Sequence, residues 1–233
     1  MPIIASMYRA IRKRYVVYLQ KFKKVENVFT EIYRRNKWKG KDSFSGPGSD
    51  TYQTRIVISE LPTLINEFNI RTMIDIPCGD FHWMRSVDLN GIDYTGADVV
   101  KELIQKNIEK YSQDGLQFHS MNLIKDKLPR VDLVFCRDCL VHFCFADVFS
   151  ALDNICKSQS EYLLTTTFTG RKDNYDIVTG KWRPLNLEVS PFSLPKALKV
   201  INEGCTEGDG AYSDKALGLW RIADIQDSLT FKD

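Results

Sequence analysis

Apolar residues near the start of the chain recur every three or four positions. Ile4, Met7, Tyr8, Ile11, Tyr15, Tyr18, Leu19, Phe22 and Val25 fall on one stripe, with Arg9, Arg12, Lys13, Lys21, Lys23 and Lys24 around the rest. That period predicts a basic amphipathic helix. A run rich in glycine, serine and proline over 38–49 then breaks the pattern, which makes it either a linker or, because it carries Trp38 and Phe44, a lid over a ligand. From Asp50 onward short apolar runs alternate with helical periods. Residues 51–59 and 62–68 read as two helices, the second opened by Pro62 at its first turn. Runs at 73–76, 94–97, 116–119, 131–136 and 162–167 read as strands. Between them lie a short helix over 81–87, a helix over 100–111 with Val100, Leu103, Ile104, Ile108 and Tyr111 inward, and one over 146–157 with Val148, Phe149, Leu152 and Ile155 inward. Past Thr169 the pattern turns to loops, with final strands at 198–202 and 216–222.

Strands separated by helices pair in parallel through right-handed crossovers. The fold class expected is therefore α/β, a Rossmann-like, mostly parallel seven-stranded sheet with helices on both faces, plus an N-terminal helical arm. The arm covers 1–40 and the α/β domain 41–233, with an insertion at 170–197. No run of 18 apolar residues is present to span a membrane, and the start of the chain lacks the apolar segment of a secretory leader. Six cysteines sit mostly inside apolar runs, as reduced thiols of a cytoplasmic protein do. The net charge of +2 conceals an asymmetry: residues 1–40 hold eleven Lys or Arg against Glu26 and Glu31, so the arm carries +9 and the remainder −7. Such an arm can dock on its own acidic body or form a homodimer, lie peripherally on the inner face of the membrane, or contact nucleic acid. The acidic body argues against a broad nucleic-acid footprint.

The chemistry concentrates at strand ends. The run Thr72-Met73-Ile74-Asp75-Ile76-Pro77-Cys78-Gly79-Asp80 ends a buried strand in an acid and a tight turn, and Asp98 closes the next strand 23 residues after Asp75. An acid at that second place can accept both hydroxyls of a ribose. The first and third glycines of the dinucleotide fingerprint are missing around Gly79, with Pro77 at the first, which favours a nucleoside ligand without phosphates. At the end of strand four, Cys136-Arg137-Asp138-Cys139-Leu140-Val141-His142 faces the crevice of such a fold. Histidine's intrinsic pKa suits a general base, which makes His142 a candidate, and Asp138 is either its rival or the group that orients it. The spacing Cys136-x2-Cys139-x4-Cys144 invites a zinc site, but a fourth ligand is lacking and Cys136 ends an apolar strand, so no metal is expected.

These blocks, with Asn122 just after strand three, resemble the ordered motifs of class I S-adenosylmethionine-dependent methyltransferases over about residues 50–222. Within that superfamily, 75–84, 136–143 and the stretch from Asn202 to Lys215 are similar to a little-characterised bacterial subgroup associated with surface-polysaccharide biosynthesis. The resemblance implies S-adenosylmethionine as cofactor, with Asp75 and Gly79 at its methionine end, Asp98 on the ribose, and Asn122 with Leu123 at the adenine edge. Pro77, Asp80 and Arg137 complete the cofactor side, with Asp80 either touching the ligand or capping the helix that follows.

Substrate contacts are expected from outside the cofactor half. Arg171, Tyr175, Trp182, Arg183 and Asn186 of the insertion, and Glu203, Glu207, Asp209, Tyr212 and Lys215 beyond it, combine aromatic faces with hydrogen-bonding groups. That mixture suits a sugar, and the guanidinium groups suit a phosphate. The reading is O-methylation of a small polar acceptor, sugar-like or phosphorylated, with His142 or Asp138 as base. The alternatives are an RNA methyltransferase anchored by the arm and a non-catalytic partner protein on the same fold.

Overall fold

The computed structural model describes residues 24–230, so the basic stripe from Ile4 to Phe22 lies outside the described residues. Helix α1 (Val25–Arg34) leads into an irregular segment and helix α2 (Thr51–Glu67). The sheet follows as β1 (Thr72–Asp75), β2 (Asp93–Asp98), β3 (Leu116–Ser120), β4 (Leu133–Cys136), β5 (Tyr162–Phe168), β6 (Lys199–Asn202) and β7 (Lys215–Arg221). Helix α3 (Lys101–Tyr111) joins β2 to β3, α4 (Phe145–Lys157) joins β4 to β5, and α5 (Ile222–Thr230) leaves β7.

The spatial order is β3-β2-β1-β4-β5-β7-β6, parallel from β3 through β5, with β7 antiparallel to both β5 and β6. Alternation along each strand divides the core between the two faces. Ile74, Val134 and Leu163 pack with Val148, Leu152 and Ile155 of α4 and Ile225 of α5. Their neighbours Met73, Leu133, Phe135 and Leu164 pack with Val57, Leu61 and Leu64 of α2 and Ile104 of α3. Each such fully buried side chain contributes about 1.5–3 kcal/mol. The chain reverses direction across the sheet between β1 and β4, so a crevice opens at their carboxyl ends.

Three local expectations need correction. Residues 51–67 form one helix with Pro62 inside it. A mid-helix proline costs about 3 kcal/mol; here Val57, Leu61, Leu64 and Ile65 bury one continuous face across that position and hold the two halves together. The helix over 81–87 shrinks to a single tight turn at Met84–Ser86. Phe81 adopts a left-handed φ of 56°, incompatible with a helix start, because its ring is drawn into a cluster with Tyr94, Tyr111 and Phe118. Finally, the apolar run 216–222 conceals a change of element: β7 stops at Arg221 and α5 begins at Ile222, where Ile222 and Ile225 are buried.

Candidate active site

A cleft of about 1020 Å³ opens at the carboxyl ends of β1, β2 and β4. Asp75, Pro77, Gly79, Asp80, Asp98, Asn122, Leu123 and Arg137 all line it, together with Asp138 and His142. Asp75 is buried and accepts a 2.6 Å hydrogen bond from the Tyr94 hydroxyl. Burial outweighs that bond, and with Asp98 nearby it pushes the Asp75 carboxyl up to about 8. Asp98 accepts from the Val100 N–H (2.9 Å) and the Gly79 N–H (3.3 Å), yet burial still raises it to about 6. Two buried acids with raised pKa values are poised to ionise against a ligand that brings positive charge and hydroxyl donors.

The 38–50 segment lies over this cleft as a strap, and Trp38, Phe44, Ser45 and Ser49 form part of the lining. Asp80 holds it: the Ser43 hydroxyl donates to Oδ1 and the Phe44 N–H to Oδ2, both at 2.8 Å. The His82 N–H also donates to Oδ1 at 3.4 Å, a turn bond that replaces the helix cap. Gly79 is required by the same closure, since a Cβ there would stand 2.1 Å from Ser45 Oγ. At the far end of the strap, Arg137 Nη2 donates to the Gly48 carbonyl at 2.8 Å while also meeting Glu203 at 2.6 Å. Helix α1 closes the side of the cleft at Asn122. Val25, Phe29 and Tyr33 line the cleft, and Glu26 pairs with Lys125 and accepts from Asn122 Nδ2 at 3.0 Å. The Asn122 side chain is thus engaged at both ends, because its Oδ1 accepts from the Ile124 N–H.

A second cavity of about 780 Å³ adjoins the first and shares Trp38, Ser45, Asp138 and His142 with it. His142 ends a tight turn, Leu140–His142, after β4. Its Nδ1 lies 2.9 Å from the Lys181 carbonyl, which can only accept, so the proton sits on Nδ1 and the Nε2 lone pair is left open. Trp38 stacks on the ring at 4.9 Å between centroids. Burial holds its pKa below the ordinary histidine value, so the ring is neutral at pH 7. Asp138 is a different object. Burial raises its pKa, but Lys215 Nζ at 2.7 Å and Arg137 Nη1 at 3.3 Å overcome this and hold it at about 2. A carboxylate that acidic is a poor proton acceptor, so of the two candidates His142 has the chemistry of a base.

The substrate-side candidates divide. Trp182, Glu207, Tyr212 and Lys215 line the second cavity with Phe168 and Cys205. Arg171, Tyr175, Arg183 and Asn186 line neither cavity. Arg171 is paired with Asp214 at 2.7 Å and bonded to the Ala211 carbonyl, tying the insertion to the β6–β7 loop. Arg183 is fully buried and donates to the carbonyls of Leu140, Val141 and Tyr175, so it holds the turn that carries His142. Asn186 donates to the Arg171 carbonyl and accepts from the Glu188 N–H. Tyr175 is exposed to solvent. Trp38 and Phe44 line the cleft as the lid reading of 38–49 expects, whereas Phe29, Tyr33 and Trp83 are lining residues to which motif reading assigns no role.

Among the described residues no three His, Cys, Asp or Glu side chains gather as metal ligands would. Cys139 is hydrogen-bonded to Cys136 and buried, and both push its thiol pKa up.

No family model matches the sequence, and no curated protein matches it. Solved structures do match the fold. One is a 1,6-didemethyltoxoflavin-N1-methyltransferase from Burkholderia thailandensis with bound 1,6-didemethyltoxoflavin and S-adenosylhomocysteine. It has a TM-score of 0.62 at 12% identity, covering 90% of this chain and 89% of that one. Human N-acetylserotonin methyltransferase, in complex with S-adenosylmethionine, gives 0.59 at 14% identity over 85% of this chain; the match spans 60% of the human enzyme's length. An S-adenosylmethionine-dependent methyltransferase from Clostridium acetobutylicum gives 0.54 at 11% identity, covering 74% and 92%. At these identities the likeness defines a shared Rossmann-like methyltransferase fold.

Proposed function

We propose that this chain is an S-adenosylmethionine-dependent methyltransferase acting on a hydroxyl of a small, ring-bearing, sugar-like acceptor. The observation that carries the reading is the meeting of two cavities at His142, one walled by buried acids and the other by aromatic rings. The cofactor fits the first cavity chemically. Its ammonium and sulfonium charges suit Asp75, its ribose hydroxyls suit the remaining lone pairs of Asp98, and it needs none of the phosphate-binding glycines that are missing around Gly79. When bound, it supplies a methyl group made electrophilic by the positive sulfur.

The chain's own residues do the rest. The strap and α1 enclose the cleft and exclude water. Trp38 and the Lys181 carbonyl fix the His142 ring, leaving Nε2 to take the proton of the acceptor hydroxyl as its oxygen attacks in line from about 3 Å. Asp75 and Asp98 would hold the cofactor while its methyl passes to that oxygen, with the electron pair of the broken carbon–sulfur bond kept on its sulfur. Asp138, kept ionised by Lys215, faces the imidazolium that forms. The arginines once suited to a phosphate are engaged by Glu203, Asp214 and backbone carbonyls, which favours the unphosphorylated form of the acceptor. Isothermal titration tests the reading: S-adenosylhomocysteine is expected to bind with a Kd of about 1–100 µM, and absence of binding up to millimolar ligand would overturn it.

A further inference from the structure

We propose that the acceptor carries a positively charged amine on its ring, and that Glu207 is the residue that holds it. This rests on the methyltransferase reading and narrows its substrate class.

The charge inventory of the second cavity leads there. Lys215, Asp138 and Glu207 line it, and the buried pair Arg137 and Glu203 stands behind them. Arg137 Nη2 meets Glu203 at 2.6 Å, and Lys215 Nζ meets Asp138 at 2.7 Å and Glu203 at 3.4 Å. Even so, Glu203 Oε1 is buried without a donor, so the network is short of positive charge and hydrogen. Glu207 is left over: among the described residues it forms no ion pair, and its one bonded donor is the weak Cys205 thiol, with Sγ 3.8 Å from Oε2. The carboxylate lines the cavity and converges with the catalytic end of it. A Cβ placed on Gly48 of the strap would meet Asp138 Oδ2 at 3.1 Å, Lys215 Nζ at 3.4 Å and Glu207 Oε2 at 3.5 Å.

The walls agree with that sign of charge. Trp182 and Tyr212 meet edge to face at 4.8 Å, and Phe168 lies 5.9 and 6.2 Å from them, with Trp38 contributed by the strap. Aromatic faces attract cations and the C–H faces of a saturated ring. A phosphate would enter a cavity with an unpaired carboxylate and no unengaged cation, at the cost of like-charge repulsion. An ammonium group completes the network instead, and the hydroxyl to be methylated remains for His142.

The test uses the protein loaded with S-adenosylhomocysteine and three probes sharing one ring: glucosamine, glucose and glucose 6-phosphate. Titration is expected to rank glucosamine at least about tenfold tighter than glucose, with the phosphate weakest. Glu207→Gln should abolish the amine preference, with unchanged affinity for S-adenosylhomocysteine reporting an intact fold. Rising salt should weaken glucosamine and leave glucose unaffected in the natural protein, which reads the same charge should the variant fold poorly. Equal binding of the three probes, preference for the phosphate, binding of none, or an amine preference that survives Glu207→Gln overturns the proposal. If S-adenosylhomocysteine itself fails to bind, the methyltransferase reading falls first, so the two failures are distinguishable.

Discussion

The two cavities that meet at His142 are built in opposite ways. The first is made by strand ends: Asp75 closes β1, Asp98 closes β2, and Arg137 follows β4, so the sheet's register alone brings them together. The second is made by residues far apart in the chain, with Trp38 from the strap, Phe168 at the end of β5, Trp182 from the insertion and Tyr212 from the β6–β7 loop. In the first Asp75 and Asp98 line the cleft with lone pairs to spare, while Asp80, Arg137 and Asn122 hold its walls. In the second most polar side chains of the insertion are used up in holding it in place, and the cavity is left with rings and one unpaired carboxylate.

If that contrast is right, changes at the junction matter most. Replacing His142 with Gln, which keeps a polar side chain of similar reach, is expected to lower kcat by about 10²–10⁴-fold. Affinity for S-adenosylhomocysteine should stay within a few-fold, which titration and steady-state kinetics can check separately. A variant as active as the natural protein would remove the base from the account.

On the cofactor side, Asp98→Asn is expected to weaken S-adenosylhomocysteine by about 10–100-fold, the scale of losing charged hydrogen bonds to the ribose. The same residue sets a pH dependence. Its carboxyl, raised to about 6, must be ionised to accept the hydroxyls, so its contribution to affinity is full above that pH and falls as pH drops below it. Titrations across pH 5–8 should show a step near 6 that is lost in Asp98→Asn, leaving only the slope toward 8 that Asp75 contributes.

Asp80→Ala addresses the strap. Losing its bonds to Ser43 and Phe44 is expected to weaken S-adenosylhomocysteine by about 5–20-fold, mostly through faster release, as stopped-flow dissociation would show. The smallest effect concerns stability and has the opposite sign. The Asp75 carboxyl is raised to about 8, so without ligand the folded protein binds a proton that the unfolded chain gives up near 4, and stability declines as pH rises between those values. Asp75→Asn, which can still accept from Tyr94, should therefore raise the Tm of the ligand-free protein at pH 8, by ~2–4 °C for each kcal/mol relieved. Calorimetry at pH 5 and pH 8 should show the gain mainly at the higher pH.

The same contrast explains what the sequence discloses. All seven strands are legible because each carries a short apolar run bounded by turns, fully buried in β4 and β5, and the cofactor-side residues because they sit at fixed offsets from those runs. Phe81 misleads, since nothing local says that its ring will leave the helical path for Tyr94 and Phe118. The role of Asp80 depends on a partner 36 residues away, the Phe44 N–H, which no spacing rule links to it. Arg183 reads as a substrate residue because its acceptors are backbone carbonyls, and these leave no mark in a sequence.

The central claim is that the cofactor lies beneath the strap with its sulfur facing His142 and the second cavity. A crystal structure with S-adenosylhomocysteine tests it most directly. The ribose is expected on Asp98, the methionine end near Asp75, and the sulfur open toward His142 Nε2. A ligand bound elsewhere, or a sulfur turned away from His142, would contradict it.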